Sequence, residues 1–326
     1  MVAKNELIKS HDKEKMTLKK LFASYGFLFI LAFMIIISSI LSPAFLTQRN
    51  LLNVLRQMSI TTIIGFGMTL IIISGMIDLS AGSVAALAGC IGTSMYVATG
   101  SVWLGLVVGL LVGAATGVVS GTLISHFGLP PFIATLAMMT GARGLVLLYT
   151  GGKPIINIGN FTILGQGTLL GLPIPILIMF ITFALIYVVS KKTRLGRYVY
   201  AIGGNQNAAV ASGVNVKLIK ITTFIIHGTL TGLAGVILMS RINSGQPSSG
   251  LQYEMDAITA VVVGGTSLSG GVGTLMGTLI GGLIVGILNN ILNLTNISPY
   301  WQQILKGVVI VLAVIMDIQT KGKDTN

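Results

Sequence analysis

The chain has 326 residues, 53% of them hydrophobic and 9% charged, with a mean hydropathy of +0.91. Soluble domains carry roughly 25% charged residues, so a water-soluble fold is excluded; at about 20 residues per bilayer crossing, this length fits roughly ten spans in a single transmembrane domain, 1–326. A formal charge of +12 raises the question of nucleic acid, but a nucleic-acid face interleaves basic residues with aromatics on one soluble surface. Here the basic residues cluster between apolar runs, so the expected partner is the lipid bilayer and no nucleic acid.

Taken in chain order, a tail with six lysines (1–20) precedes the first apolar run, Leu21 to Leu41. That run exceeds the roughly 7–15 residues of a signal-peptide core, and no A-x-A pattern follows it, so it reads as an uncleaved first span with a cytoplasmic N-terminus. Hydropathy places spans near 21–42, 52–75, 82–99, 101–125, 131–150, 172–190, 219–241, 255–269, 272–293 and 300–318. The expected fold is therefore all-α and polytopic, with about ten transmembrane helices and both termini cytoplasmic.

The charges agree with this topology. Fourteen of the twenty basic residues fall in the tail, in or just after the inner loop 191–218, or in the C-terminal tail 319–326. The other six, Arg49, Arg56, Arg143, Lys153, Arg241 and Lys306, fall in or near the outer half. The single cysteine, Cys90, lies in an apolar run with neither a disulfide partner nor metal-ligand spacing, and reads as packing.

Two stretches interrupt apolar runs with Gly and Ser: Ser74-Gly-Met-Ile-Asp-Leu-Ser-Ala-Gly-Ser83 and Val263-Gly-Gly-Thr-Ser-Leu-Ser-Gly-Gly271. They form a weak internal repeat and suggest broken or re-entrant helices whose freed backbone groups face protein or a cavity. Small residues at tight helix crossings are the plainer alternative. Asp78 is the only acidic residue between Glu14 and Glu254, and a carboxylate so near the membrane needs a partner or water. It lines the pathway, or it caps the next helix through the amides of Ser80 to Ser83. Gly271-x-Gly273-x-x-x-Gly277-x-x-x-Gly281 has no βαβ context for a dinucleotide and reads as a helix-packing face.

The longest polar segment, Gly196 to Val214, contains Asn205 as a plausible N-cap, a small and apolar run from Gln206 to Ser212, and Gly213 suited to a left-handed C-cap. That pattern predicts a short helix parallel to the membrane, with a charge-free face for a cytoplasmic partner or, alternatively, for the lipid surface. Asn289, Asn290 and Asn293 make a polar patch in the ninth span, able to hydrogen-bond sugar hydroxyls or to join helices. No phosphate-binding Gly-x-x-x-x-Gly-Lys-Ser/Thr loop occurs, and no paired-carboxylate, Ser/His/Asp or HExxH arrangement points to an enzyme.

At these residues the chain resembles the permease family of bacterial ABC importers for ribose and related monosaccharides. The resemblance is carried by Gly67-Met-Thr-Leu with Ser74 to Ser83, Pro131-Phe-Ile-Ala-Thr-Leu136, Arg143-Gly144 with Tyr149-Thr-Gly151, and Gly203-Gly-Asn205 through Gly213. Asp256-Ala-Ile258, Gly264 to Gly271 and Gly277-Thr278 continue it in order over essentially the whole chain. It implies a homodimer in the bacterial cytoplasmic membrane, a sugar-type ABC ATPase that holds the ATP and Mg, and an extracytoplasmic sugar-binding protein.

The resemblance also maps ATPase coupling onto Asn205, Gln206, Asn207, Ala208, Ala209, Ser212 and Gly213. The pathway or broken hairpins map onto Asp78, Ser80, Gly82, Ser83, Thr266, Ser267 and Ser269, with Asn289, Asn290 and Asn293 as further candidates. Arg49, Lys153 and Arg241 are placed to meet acidic groups on the binding protein. His227, where a small residue is commoner, and Val272, where a basic one is, depart from the pattern. Among such permeases the segments Asn289 to Leu294 and Trp301 to Gly307 resemble those for ribose most, with galactose, xylose and autoinducer-2 as alternatives. Rival classes are an ion-coupled secondary transporter, which usually carries titratable residues in its spans, and a passive channel.

Overall fold

A computed structural model describes residues 18–298, 300–308, 311 and 315, with side chains from residue 28 on. Seven of its helices are long and apolar enough to cross a membrane: α2 (Gln48–Ile73), α3 (Ala81–Thr99), α4 (Val102–Ser125), α5 (Pro131–Thr150), α7 (Ile174–Lys192), α10 (Val216–Arg241) and α12 (Leu275–Leu294). Before them α1 (Leu18–Leu41) contributes a described apolar stretch, Leu28–Leu41. Residues 300–308 are again helical; beyond 308 the expected last span is described only at 311 and 315, and the tails 1–17 and 319–326 lie outside the described residues.

Most expected boundaries fall within a few residues of the observed ones. The exception is the expected span 255–269. Its helix, α11 (Tyr253–Val263), has eleven residues, about 16 Å at 1.5 Å per residue, which is half a bilayer. Gly264 and Gly265, the latter at φ +86°, end it, and residues 264–274 are irregular until Thr274 caps α12 by accepting the Gly277 amide at 3.0 Å. The apolar run continued past the helix, so hydropathy extended the span too far.

The loop 191–218 also holds more structure than a connector. Thr193 caps α8 (Arg194–Gly204), and a single residue, Asn205, separates it from α9 (Gln206–Ala211). On the other side of the bundle, residues 151–173 contain a 3-10 turn, the one-turn helix α6 (Ile163–Gln166) and the two-residue strands β1 (Thr168–Leu169) and β2 (Leu172–Pro173), a small departure from the all-α expectation.

The centre of the bundle is α2, with eighteen buried residues, wrapped by α10, α12, α11 and α7. Against it, α10 and α4 meet along glycine. Almost the whole buried face of α4 is Gly105, Gly109, Gly113, Gly117, Ser120 and Gly121. A Cβ at Gly113 would overlap the Gly228 carbonyl, and one at Gly117 the Phe224 carbonyl, so the two backbones touch directly. Gly277 and Gly281 seat α12 on α11 in the same way, against Gly264 and Ala260.

Candidate functional site

The short helix α9 of the loop 191–218 has the caps its sequence predicts. Asn205 Oδ1 accepts the Ala208 amide at 3.0 Å, and Gly213 ends the helix at φ +80°, with the Val214 amide returning to Ala209 O at 3.0 Å. Gln206, Asn207, Ala208, Val210, Ala211, Ser212 and Gly213 are exposed, whereas Ala209 is buried. Ala209 packs with Ile73, Val199, Ile202 and Ile219 in one small apolar cluster, so it anchors the helix instead of presenting a surface.

Helix α8 was not foreseen, although Leu195, Val199 and Ile202 have the spacing of one helical face and all pack inward. Its C-terminal glycines sit at the meeting point of the two broken segments. A Cβ on Gly203 would overlap Ile73 O and lie 2.5 Å from Gly271 N, and Gly271 N donates to Ile73 O at 2.8 Å. Tyr200 Oη donates to Gly273 O at 2.7 Å; burial pushes the phenol's pKa up, which keeps this donor protonated.

The first broken segment, 74–80, is folded around Asp78. Its Oδ1 accepts the Ser80 amide and the Ser80 hydroxyl, each at 2.6 Å, which fixes the residue that precedes α3 but leaves the Gly82 and Ser83 amides of the expected cap without it. Its Oδ2 faces His227, whose Nε2 is 3.4 Å away but too poorly aligned for a hydrogen bond; neither ring nitrogen makes one. His227 is fully buried midway along α10, and Gly67 is a glycine because the His227 ring and backbone fill the space of a side chain there.

Ser80, Gly82 and Ser83 are buried at the start of α3, and Gly82 meets the backbone of Gly250. In the second broken segment, Thr266 and Ser267 are buried while Ser269 is exposed, and the Ser269 amide donates to Ser267 Oγ at 3.3 Å.

The asparagines of α12 join helices. Asn290 and Asn50 exchange amide hydrogen bonds at 2.8 and 3.0 Å across α12 and α2. Asn289 donates to Asp256 Oδ2 at 3.3 Å, and Asp256 also pairs with Lys306 at 2.7 Å. Asn293 accepts from Gln302 at 3.0 Å.

A third irregular stretch, 242–252, returns from the end of α10 toward the middle of the bundle. Arg143, midway along α5, holds it by donating to Pro247 O at 2.5 Å and Ser249 O at 3.0 Å. Beside it, Gly141 and Gly144 of α5 face open space. Of the three cations expected to meet the binding protein, Arg49 and Lys153 are exposed, and Arg241 is half-buried beside Tyr253. Among the described residues no group of His, Cys, Asp and Glu side chains is placed to hold a metal ion.

The family model for the permease component of branched-chain amino acid transport systems matches residues 50–314. The ribose import permease protein RbsC of Haemophilus influenzae is 48% identical over 292 residues, covering 88% of this chain and 90% of that protein. RbsC of Bacillus subtilis is 48% identical over 293 residues, 89% and 90% of the two chains. The L-arabinose permease AraH of Escherichia coli is 37% identical over 315 residues, 96% of each. No solved structure matches the chain. With its apolar bundle and a family match running from the start of α2 into the last helix, this chain belongs to the family of multi-pass ABC-importer permeases of the bacterial cytoplasmic membrane.

Proposed function

We propose that this chain is the membrane subunit of an ATP-driven ribose importer, working as a homodimer with a cytoplasmic sugar-type ATPase and an extracytoplasmic ribose-binding protein. The observation that carries the reading is 46–48% identity to three ribose permeases over nearly nine-tenths of the chain, against 35–37% for arabinose and allose permeases. In this reading α1, the seven long helices, the half-helix α11 with its descending strap 242–252, and the helix from residue 300 make ten crossings with both termini inside, in one transmembrane domain.

The ATPase, which holds ATP and Mg, docks on the exposed side of α9, the residues from Gln206 to Gly213 other than Ala209. The sugar passes where irregular backbone lies exposed next to the open face of α5, since unpaired backbone groups do not face lipid. Asp78, Ser80, Gly82, Ser83, Thr266 and Ser267 then shape the broken segments from within, and Asn289, Asn290 and Asn293 brace the helices behind them. Arg49 and Lys153 steer an acidic rim of the binding protein electrostatically, with Arg241 contributing less because it is half-buried.

The test is capture of the partner ATPase by the intact permease and by a variant carrying Ala208→Glu and Ala211→Glu, two exposed positions of α9. Capture by the former and loss by the latter, with both chains equally inserted in the membrane, is the expected result. Equal capture by both moves the docking surface elsewhere, and no ATPase with either removes the ABC reading.

A further inference from the structure

We infer that Tyr200 and Gly203 of α8 are positioning residues that carry the movement of the ATPase-bound α9 into both broken segments at once. The inference rests on the docking role proposed for α9 and adds the route by which that docking reaches the sugar pathway.

Three observations build the route. First, α9 is not a free arm: Ala209 shares an apolar cluster with Ile73 of α2, Val199 and Ile202 of α8, and Ile219 of α10, and only Asn205 separates the two inner helices. Second, the end of α8 touches both breaks through backbone alone. Gly203 lies against Ile73 O and Gly271 N. Gly270 and Gly271, at φ +84° and +76°, lie so close to Gly203 and Gly204 that a Cβ on either would come to 3.0 Å from them, and one on Gly270 would also lie 3.1 Å from Gly75.

Third, the breaks are tied to each other and to α8 by hydrogen bonds, Gly271 N to Ile73 O at 2.8 Å and Tyr200 Oη to Gly273 O at 2.7 Å. Backbones in van der Waals contact leave no side chain to bend, so a displacement of α8 is passed on undamped. The two glycine-rich stretches, distant in sequence, thus share one point of control on the cytoplasmic side.

The readout is ribose transported per ATP hydrolysed by the complete importer in vesicles, because a purely structural defect lowers uptake and hydrolysis together and leaves their ratio fixed. Gly203→Ala inserts a methyl between Ile73 O and Gly271 N; it is expected to keep ATPase capture while the ratio falls by about tenfold or more, as expected when a buried close contact is overpacked. Tyr200→Phe removes one oxygen and is expected to lower the ratio about two- to fivefold, the scale of one hydrogen bond.

Should Gly203→Ala fail to insert, Tyr200→Phe decides alone. A ratio equal to wild type in the inserted variants overturns the inference even when the α9 substitutions abolish capture. Failure of those α9 substitutions to affect capture is a separate result, against the docking surface itself.

Discussion

Glycine does two different jobs in this bundle, and the contrast separates what holds still from what is placed to move. Along α4 the glycines recur every four residues, from Gly105 to Gly121, and press the helix onto its neighbours, Gly105 against Gly92 of α3 and Gly113 to Gly121 against α10, with Gly228 and Gly232 opposite. Around α8 they follow no period. Gly75, Gly270 and Gly271 have positive φ and end or interrupt helices, and Gly270 and Gly271 meet α8 at a point instead of along a face. A periodic face distributes its contact over several turns and resists displacement as a whole; a point contact between irregular segments concentrates any displacement.

The largest effect expected from this contrast is at the periodic face. Gly113→Leu forces a branched side chain into the Gly228 carbonyl and the Gly232 amide, costing more than the roughly 1–3 kcal/mol of ordinary overpacking. The permease should vanish from the monodisperse fraction in size-exclusion chromatography, unlike Tyr200→Phe, which removes one hydrogen bond at the point contact and adds no atom. If both behave alike, the distinction between the two regions fails.

Next is the ion pair behind α11. Lys306→Met leaves Asp256 buried without its cation, and the thermal unfolding of the detergent-solubilised protein should report a loss of about 3–5 kcal/mol. A small loss would mean that Asn289 and water suffice for Asp256. Smaller again is Asn50→Leu, which orphans the Asn290 amide and the Phe45 carbonyl at a cost of about 1–3 kcal/mol; joining it to Asn290→Leu should recover part of the loss, because only the Phe45 carbonyl then lacks its partner. A double variant no better than the single would point to a role for Asn290 beyond bracing.

The smallest expected effect is that of pH at Tyr200. Its folded-state pKa is raised by burial, so the phenol's contribution is fully present below its ordinary value near 10 and is lost only as pH rises through the raised one. Ribose moved per ATP should therefore show no Tyr200-dependent change between about pH 6 and 9, with wild type and Tyr200→Phe running parallel.

Sequence made the spans legible because each is a long apolar run, and it made the caps of α9 legible because Asn205 and Gly213 are local signals. It mistook the length of α11, where the apolar character outlasts the helix. It also missed the face from Gly105 to Gly121, although the four-residue spacing that identified Gly277 and Gly281 is present there over more turns. The inward turn of Ala209 depends on Ile73 and Ile219, which belong to other elements. The pairing of Asn50 with Asn290, 240 positions apart, and the approach of His227 to Asp78 exist only once the helices are packed.

The most direct test of the account is ribose uptake into sealed vesicles holding the permease, its ATPase and the ribose-binding protein, with ATP supplied or withheld and with or without an imposed ion gradient. The account predicts uptake that requires ATP and the binding protein and ignores the gradient. Uptake that follows the ion gradient without ATP would contradict it and make the chain a secondary transporter.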